Sequence, residues 1–312
     1  MPATSAARRD GAFTSTRKRI SLSPRDIRFR PLSLSDRGAV VRLLERAVPH
    51  DYLLPMVPQW MAGGQAIGGW RGADLVGVLR LDDLGGGEAW IGGIRVLPEL
   101  RRQGVGRALL EHTFRIAQGQ GLSHIRMLIE DTNGPSRALA RSSGFKEKLT
   151  LGHFAGEVSP GTEVADRLSV PPRRSVVRMR WVQALHGYFS PMVPQPLRLV
   201  RTTRERLMGE ARVGNLYGLD GGTALYVLSS PFSSSWTDRP VRSFSPLEGP
   251  LDRLLSAAAE KGGHVLDAFL PLDPGTLRTA ERCGLVRGYL WGGTIILYER
   301  SLSEPIRGRQ TF

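Results

Sequence analysis

The chain has 312 residues, of which 41% are hydrophobic and 23% charged, and this composition excludes disorder throughout and fits a globular protein of about two domains. Its single cysteine, Cys283, excludes an intrachain disulfide and favours a reducing, cytoplasmic location. The net charge of +14 suits an anionic ligand. No uncharged apolar stretch reaches the ~18 residues of a membrane span, so we expect no membrane partner.

The N-terminal segment is basic and rich in Ser, Thr and Arg. Residues 1–30 hold eight basic and two acidic residues and show no apolar periodicity. We therefore predict a disordered basic tail over residues 1–26, and a second short tail over 304–312. A nucleic-acid-binding arm is the less favoured interpretation, because no basic and aromatic module accompanies the charges.

The next elements alternate between strand and helix periodicity. Residues 27–31 predict a strand, and the spacing of apolar residues over 40–47 predicts a helix. A Pro-rich loop precedes two strands, predicted over 66–71 and 75–81. Residues 88–96 form another predicted strand, whose Gly-Gly pair indicates a bulge or a close backbone approach.

The pattern then continues as helix, strand, helix and strand. An amphipathic helix is predicted from Val105 to Gly119, and a buried strand over 125–129. Asn133 starts a second helix that ends at Gly144, and a last strand follows. The order predicts a mixed α/β fold, a β-sheet flanked by helices.

Two short segments of the first half recur in the second half. Residues 52–59 and 188–195 agree at six of eight positions. His124, Gly144 and Phe145 have counterparts in a second set at one constant offset, namely His264, Gly284 and Leu285. These matches predict a tandem duplication. A single α/β domain with an unrelated C-terminal extension is the alternative.

The duplication predicts where the domains divide. The first domain covers 27–151, a linker and the start of the second copy cover 152–186, and the second domain covers 187–303.

A glycine-containing turn is the strongest chemical signal in the sequence. The segment 101–106 reads Arg-Arg-Gln-Gly-Val-Gly and lies between a predicted strand and a predicted helix. Glycines there allow close approach of the backbone, and the helix N-terminus favours a negative charge. This predicts a pyrophosphate cradle. It differs from a dinucleotide fingerprint, whose third glycine is Leu109 here, and it lacks the Gly-Lys-Ser/Thr of a P-loop.

The strand 94–98, this turn, and Asn133 before a helix ending at Gly144-Phe145 together resemble the GNAT acetyltransferase superfamily. The resemblance covers residues 27–151. It implies acetyl-CoA as the acyl donor, and transfer of an acetyl or short acyl group to an amine by direct attack. The amine acceptor and the oligomeric state are left open. A non-catalytic acyl-CoA-binding sensor or interaction module is the alternative function.

The resemblance also assigns roles to individual positions. Backbone groups of residues 94–96 would hold the pantetheine arm, one of them donating to the thioester carbonyl as an oxyanion donor. Asn133 would hydrogen-bond the same arm. Backbone N–H groups of the turn would bind the pyrophosphate. The implied binding residues are Ile94, Arg95, Val96, Arg101, Arg102, Gln103, Gly104, Val105, Gly106, Arg107 and Asn133.

The acid and the base are harder to assign. Glu88 is the candidate general base, and a solvated turn residue is the alternative interpretation. Many family members carry a tyrosine that acts as general acid for the leaving thiolate, four residues before the glycine that ends this helix. This chain has Ala140 there, four residues before Gly144. The hydroxyls of Ser136, Ser142 or Ser143 could donate instead.

The second copy lacks the features of the cradle. Its counterpart of the turn, residues 246–251, contains Glu248 and Pro250, and Asp273 replaces Asn133. We therefore expect one acetyl-CoA site per chain. The six histidines show no metal-ligand spacing, so we expect no metal.

Overall fold

The protein is described here by a computed structural model. It describes residues 26–62, 66–157, 188–189, 200–201, 203–212, 216–219, 224–228, 232–233, 240–246, 265–288 and 293–302. The predicted tail 304–312, all but residue 26 of the predicted tail 1–26, and most of the predicted linker lie outside these residues.

The first half contains the elements that the sequence predicts. Its strands are β1 (Arg28–Pro31), β2 (Ala66–Arg71), β3 (Asp74–Gly85), β4 (Glu88–Val96), β5 (His124–Glu130) and β6 (Lys146–Glu157). Its helices are α1 (Arg37–Ala47), α2 (Val57–Ala62), α3 (Val105–Gly119) and α4 (Gly134–Ser142). The mixed α/β class is therefore confirmed. The short helix α2 lies where the sequence predicted only a Pro-rich loop.

The second half has shorter elements. Its strands are β7 (Tyr188–Phe189), β8 (Val200–Arg201), β9 (Leu216–Leu219), β10 (Ala224–Leu228), β11 (Phe232–Ser233), β12 (Pro240–Pro246), β13 (Val265–Leu270), β14 (Val286–Arg287) and β15 (Thr294–Ser301). Its helices are α5 (Arg204–Arg212) and α6 (Pro274–Arg282).

Most strands belong to one sheet that runs through both halves. Its order is β1-β2-β3-β4-β5-β15-β6-β13-β12-β10-β9, with β11 paired to β12 and β14 paired to β6. The last strand of the chain, β15, is antiparallel to both β5 and β6. The sheet of the first half is thus completed by residues 294–301, which the sequence had placed in the second domain.

Strand β6 serves both halves in turn. Residues 146–152 pair with β15, and residues 152–157 pair with β13. Strand β14 also pairs with the second part of β6, so this part lies between β13 and β14. In the same way, β15 lies between β5 and β6 in the first half. Each half therefore receives one inner strand from the other half.

The segments β5–α4 and β13–α6 agree closely in structure. Both helices span nine residues and begin after a capping side chain, Asn133 or Asp273, that accepts backbone N–H groups. Gly144 and Gly284 follow the two helices with φ of +83° and +73°, a conformation that glycine adopts without strain. The offset of 140 residues found in the sequence is thus also the offset between these structural elements.

The core of the first half lies between the sheet and its helices. Helix α1 buries Val40, Leu43, Leu44 and Ala47, as its spacing predicts. Helix α3 buries Leu109, Leu110 and Phe114 against the same cluster. This packing fixes the start of α3 beside the end of β4, where the predicted cradle lies.

Candidate active site

A cleft opens where β4 and β5 separate. The two strands are parallel and pair only from Glu88–His124 to Trp90–Arg126. Beyond that point the remainder of each strand lines a cavity of about 210 Å³. Residues 90–95 form one wall and residues 127–130 the other, with α4 and Tyr52 at the sides. Ile295 of β15 also lines the cleft, so the end of the chain contributes to it.

A β-bulge shapes the β4 wall. Gly92 lies opposite Arg80 and Arg95 opposite Val78, so two residues, Gly93 and Ile94, face one residue of β3. Gly93 has φ of +64°, and a Cβ there would lie 3.0 Å from the Trp60 ring. The Gly-Gly pair thus forms the bulge that the sequence predicts. A bulge leaves backbone groups out of the ladder, and here they lie on the cleft wall.

Helix α3 begins beside this wall. Gly104 precedes the helix with φ of +84°, and Arg102 has φ of +63°. The N–H groups of the first turn have no acceptor inside the helix, and the helix dipole favours an anion there. The absence of a side chain at Gly106 also serves packing, because a Cβ would lie 3.2 Å from Leu139 of α4. Phosphate approach and close helix packing therefore both explain Gly106.

The side chains around this turn are largely committed to the protein itself. Arg101 donates to the carbonyl oxygens of Val96 and Ala47. Gln103 donates to the Glu99 carbonyl over 2.7 Å, and Arg107 forms an exposed ion pair with Glu111 over 3.2 Å. Val105 is buried in the core. The backbone N–H groups and the exposed side chain of Arg102 are the parts of this turn that remain suited to a phosphate.

Asn133 lies at the opposite side of the cleft. Its amide oxygen accepts the N–H of Ser136 over 3.1 Å and so caps α4. Both residues line the cleft together with Ala140. Because the oxygen is engaged, the amide nitrogen is the donor that Asn133 can offer to a ligand.

Residues 39–145 match the sequence profile described as the Acetyltransferase (GNAT) family. This part of the chain is similar in sequence to that family. The match begins in α1 and ends at the start of β6, so it covers the separated strands, the bulge and the turn before α3. No curated protein matches the chain.

Three solved structures resemble the chain over most of its length. A GCN5-related N-acetyltransferase from Sphaerobacter thermophilus has 13% identity and a TM-score of 0.54, and covers 89% of this chain and 96% of its own. A Thermoplasma acidophilum protein provisionally named an acetyltransferase has 13% identity and a TM-score of 0.55, covering 88% and 99%. One from Pyrococcus horikoshii has 12% identity and a TM-score of 0.55, covering 92% and 93%. At these identities the likeness establishes the fold.

Glu88 lies in an ion-pair cluster outside the lining of the cleft. Its Oε1 accepts a hydrogen bond from Arg126 Nη2 over 2.9 Å, and its Oε2 accepts one from Arg206 Nη1 of α5 over 2.5 Å. Burial raises the pKa of Glu88, but the hydrogen bonds and charges of the two arginines outweigh burial and hold it below its usual value. A carboxylate so paired is a weak base. The role of Glu88 as general base stays a prediction that this environment disfavours.

Sequence reasoning missed two titratable groups that do line the cleft, Tyr52 and Glu130. Glu130 ends β5, three residues before Asn133, and that position was the available signal. Tyr52 entered the sequence interpretation only through the repeated segment 52–59. It precedes α2 and lies beside Arg95, whose guanidinium carbon is 5.3 Å from the centre of the Tyr52 ring.

The position of the missing tyrosine is on the cleft wall. Ala140 is buried and lines the cleft. Of the three serines considered in its place, Ser136 lines the cleft, whereas Ser142 donates to the Leu139 carbonyl over 3.0 Å. Ser143 is buried, and its hydroxyl has no hydrogen-bond partner among the described residues.

The described ranges contain no group of three or more His, Cys, Asp or Glu residues that could hold a metal ion. In the same ranges, every helix is too short or too polar to cross a bilayer.

Proposed function

We propose that this protein transfers an acetyl or other short acyl group from acetyl-CoA to an amine by direct attack on the thioester. The observation that carries the proposal is the cleft between the bulged wall of β4 and β5, with the N-terminus of α3 packed against Leu139 of the cleft wall. An extended pantetheine arm and a pyrophosphate need such a combination of strand edge and helix N-terminus. The family match at residues 39–145 supports the same reaction class.

The chain's own groups suit this substrate as follows. Backbone groups of Ile94, Arg95 and Val96 would bind the pantetheine arm, with Asn133 donating from the facing side. The N–H groups from Arg102 to Arg107 would bind the pyrophosphate. Gly93 allows the bulge in this part of β4. A backbone N–H of the bulged stretch, such as that of Ile94, would stabilise the negative charge on the carbonyl oxygen in the transition state.

The proton of the attacking amine needs an acceptor in the cleft. Glu130 lines the cleft, whereas Glu88 is bonded to two arginines away from it. We therefore favour Glu130 over the sequence candidate Glu88 as the general base.

We also propose that the chain is a tandem duplication with one acetyl-CoA site. The support is the shared offset of β5–α4 and β13–α6 and the exchange of inner strands. In the second half, the Asp273 carboxylate already accepts the N–H groups of Gly275 and Thr276. The counterpart of the cradle, residues 247–251, lies outside the described residues. The boundaries at 151 and 187 stay predictions.

The alternative function is acyl-CoA binding without catalysis. Ala140 favours it, because no acid occupies the position where many GNAT members carry one. Release of free CoA thiol from acetyl-CoA in the presence of a panel of amines separates the two functions. Binding without release for any amine supports the sensor.

The binding site itself is tested by calorimetry with acetyl-CoA. Gly104→Glu forces an unfavourable φ and adds a negative charge, so we expect binding to be lost. The matched control is Gly119→Glu at the other end of α3, where a Cβ meets nothing within 4 Å. Unchanged affinity in Gly104→Glu, or two molecules bound per chain, would contradict the proposed site.

A further inference from the structure

The proposed reaction leaves one proton unassigned. When the amine displaces CoA, the sulfur departs as a thiolate that must gain a proton. The polar side chains on the cleft walls are those of Tyr52, Arg95, Glu130, Asn133 and Ser136. The Ser136 hydroxyl and the Asn133 amide do not release a proton near neutral pH, and Arg95 keeps its proton in an ion pair. Glu130 is already assigned as the base that accepts the proton of the amine. Tyr52 is the remaining group that can act as an acid.

Tyr52 is held at the bulge by its neighbours in sequence and space. The next residue, Leu53, packs at the bulge, because its Cδ1 lies 3.1 Å from the position of a Cβ on Gly93. The preceding residue, Asp51, accepts the Arg95 Nε over 2.6 Å and Nη2 over 2.9 Å. The Asp51 side chain is fully buried. The phenol is thus fixed to the same stretch of β4 whose backbone would hold the thioester.

We propose that Tyr52 is the general acid of this enzyme, an inference that rests on the proposed function. The amine nitrogen forms a bond to the carbonyl carbon, and the carbon–sulfur bond breaks. The Tyr52 O–H gives its proton to the sulfur, which leaves as the free thiol. The amide nitrogen that forms releases its excess proton. This proton reaches the Tyr52 oxygen through Glu130 or water and restores the phenol. One N–H is converted into one S–H, and no other reactant is required.

The charges around Tyr52 fit an acid that ionises briefly. Burial raises the pKa of Tyr52, the Arg95 guanidinium opposes this rise, and the carboxylates of Asp51 and Glu130 add to it. The pKa is raised on balance, so the phenol carries its proton at neutral pH. Arg95 on β4 is the cation that would stabilise the tyrosinate, and the Asp51 carboxylate keeps that cation in place.

Tyr298 is a second buried tyrosine, and it lies outside the lining of the cleft. Its hydroxyl donates to Glu147 over 2.7 Å. It therefore provides a matched control in which a buried tyrosine loses its hydroxyl without loss of a cleft group.

The test compares Tyr52→Phe and Tyr298→Phe in the full chain. Tyr52→Phe keeps the ring beside Arg95, so we expect unchanged acetyl-CoA affinity and unchanged KM for the amine. We expect kcat to fall about 10²-fold, as for a lost acid. The solvent deuterium isotope effect on kcat should also change, because the proton transfer to sulfur is removed. Tyr298→Phe should alter neither kcat nor the isotope effect, although loss of the hydrogen bond to Glu147 should lower its stability.

Three results would overturn the proposal. The first is a kcat for Tyr52→Phe within threefold of the wild type. The second is a higher KM for the amine with kcat retained, which would make Tyr52 a substrate-binding residue. The third is an unchanged isotope effect. A wild-type protein that binds acetyl-CoA but releases no thiol with any amine would instead refute the proposed function, so the two failures are distinguishable.

Discussion

Arg126 and Glu299 are 173 residues apart in the chain, yet the Arg126 Nε donates to Glu299 Oε2 over 2.7 Å. Arg126 lies on β5 and Glu299 on β15, so the ion pair joins the first half to the end of the chain. The Arg126 side chain has no exposed surface, and that of Glu299 is 5% exposed. Glu88 accepts the same arginine, while Arg201 and Arg206 approach the two carboxylates from the second half. The cluster therefore joins both halves.

Replacement of Arg126 should destabilise the fold strongly. Arg126→Met would remove the one fully buried cation of the cluster and leave Glu88 and Glu299 with the more exposed arginines of the second half. Loss of one member of a buried pair costs about 3–5 kcal/mol. The control is Arg107→Met, which removes one member of an exposed pair and should cost less than about 1 kcal/mol. Urea unfolding of the two variants measures the difference, and equal midpoints would contradict a structural role for the cluster.

The same cluster predicts acid sensitivity. Burial raises the pKa of Glu299, but the hydrogen bond and charge of Arg126 lower it to about 2, below its ordinary value of 4.5. A carboxylate whose pKa falls on folding stabilises the protein fully above the unfolded-state value and loses that effect as the pH falls. Stability should therefore decline between about pH 4.5 and pH 2. Thermal unfolding across this range should show a shallower decline in Glu299→Gln than in the wild type.

Removal of β15 should prevent folding of the first half. A protein that ends at residue 293 exposes the edges of β5 and β6, and loses the buried side chains of Ile296, Leu297 and Tyr298. Unpaired strand edges favour aggregation. The control ends after Leu302 and keeps the strand. Size-exclusion chromatography and circular dichroism should show native protein only for the control. A monomeric, acetyl-CoA-binding protein without β15 would contradict the prediction.

The choice of base is tested by two matched substitutions. Glu130→Gln should lower kcat about 10²–10⁴-fold and remove the low-pH limb of the rate profile, because that limb reports ionisation of the base. Glu88→Gln should keep the limb, since Glu88 is bonded to Arg126 and Arg206, although it should lower the melting temperature. Loss of the limb in Glu88→Gln alone would restore the base predicted from the sequence.

The sequence predicted those elements whose signals lie within a few neighbouring residues. The spacing of Val40 to Ala47 predicted α1, and Gly92-Gly93 predicted the bulge, because both signals lie within a few residues. The position of β15 carries no such signal. Its partners on β5 are some 170 residues earlier in the chain, and its apolar residues would suit any buried strand. The ion pairs that disfavour Glu88 as a base are hidden from sequence reasoning for the same reason. Arg206, one partner of Glu88, is 118 residues away and invisible to a motif.

The shared strand β6 has a consequence for the order of folding. The first half can form α1, the β2–β4 meander and α3 from nearby residues, but its sheet has a gap between β5 and β6 until residues 294–301 arrive. During synthesis these residues leave the ribosome well after β5 and β6. Contacts of such large sequence separation form slowly. Until then, the edges of β5 and β6 in the nascent first half are unpaired. A chaperone that acts in this interval would have its greatest effect on the yield of folded protein.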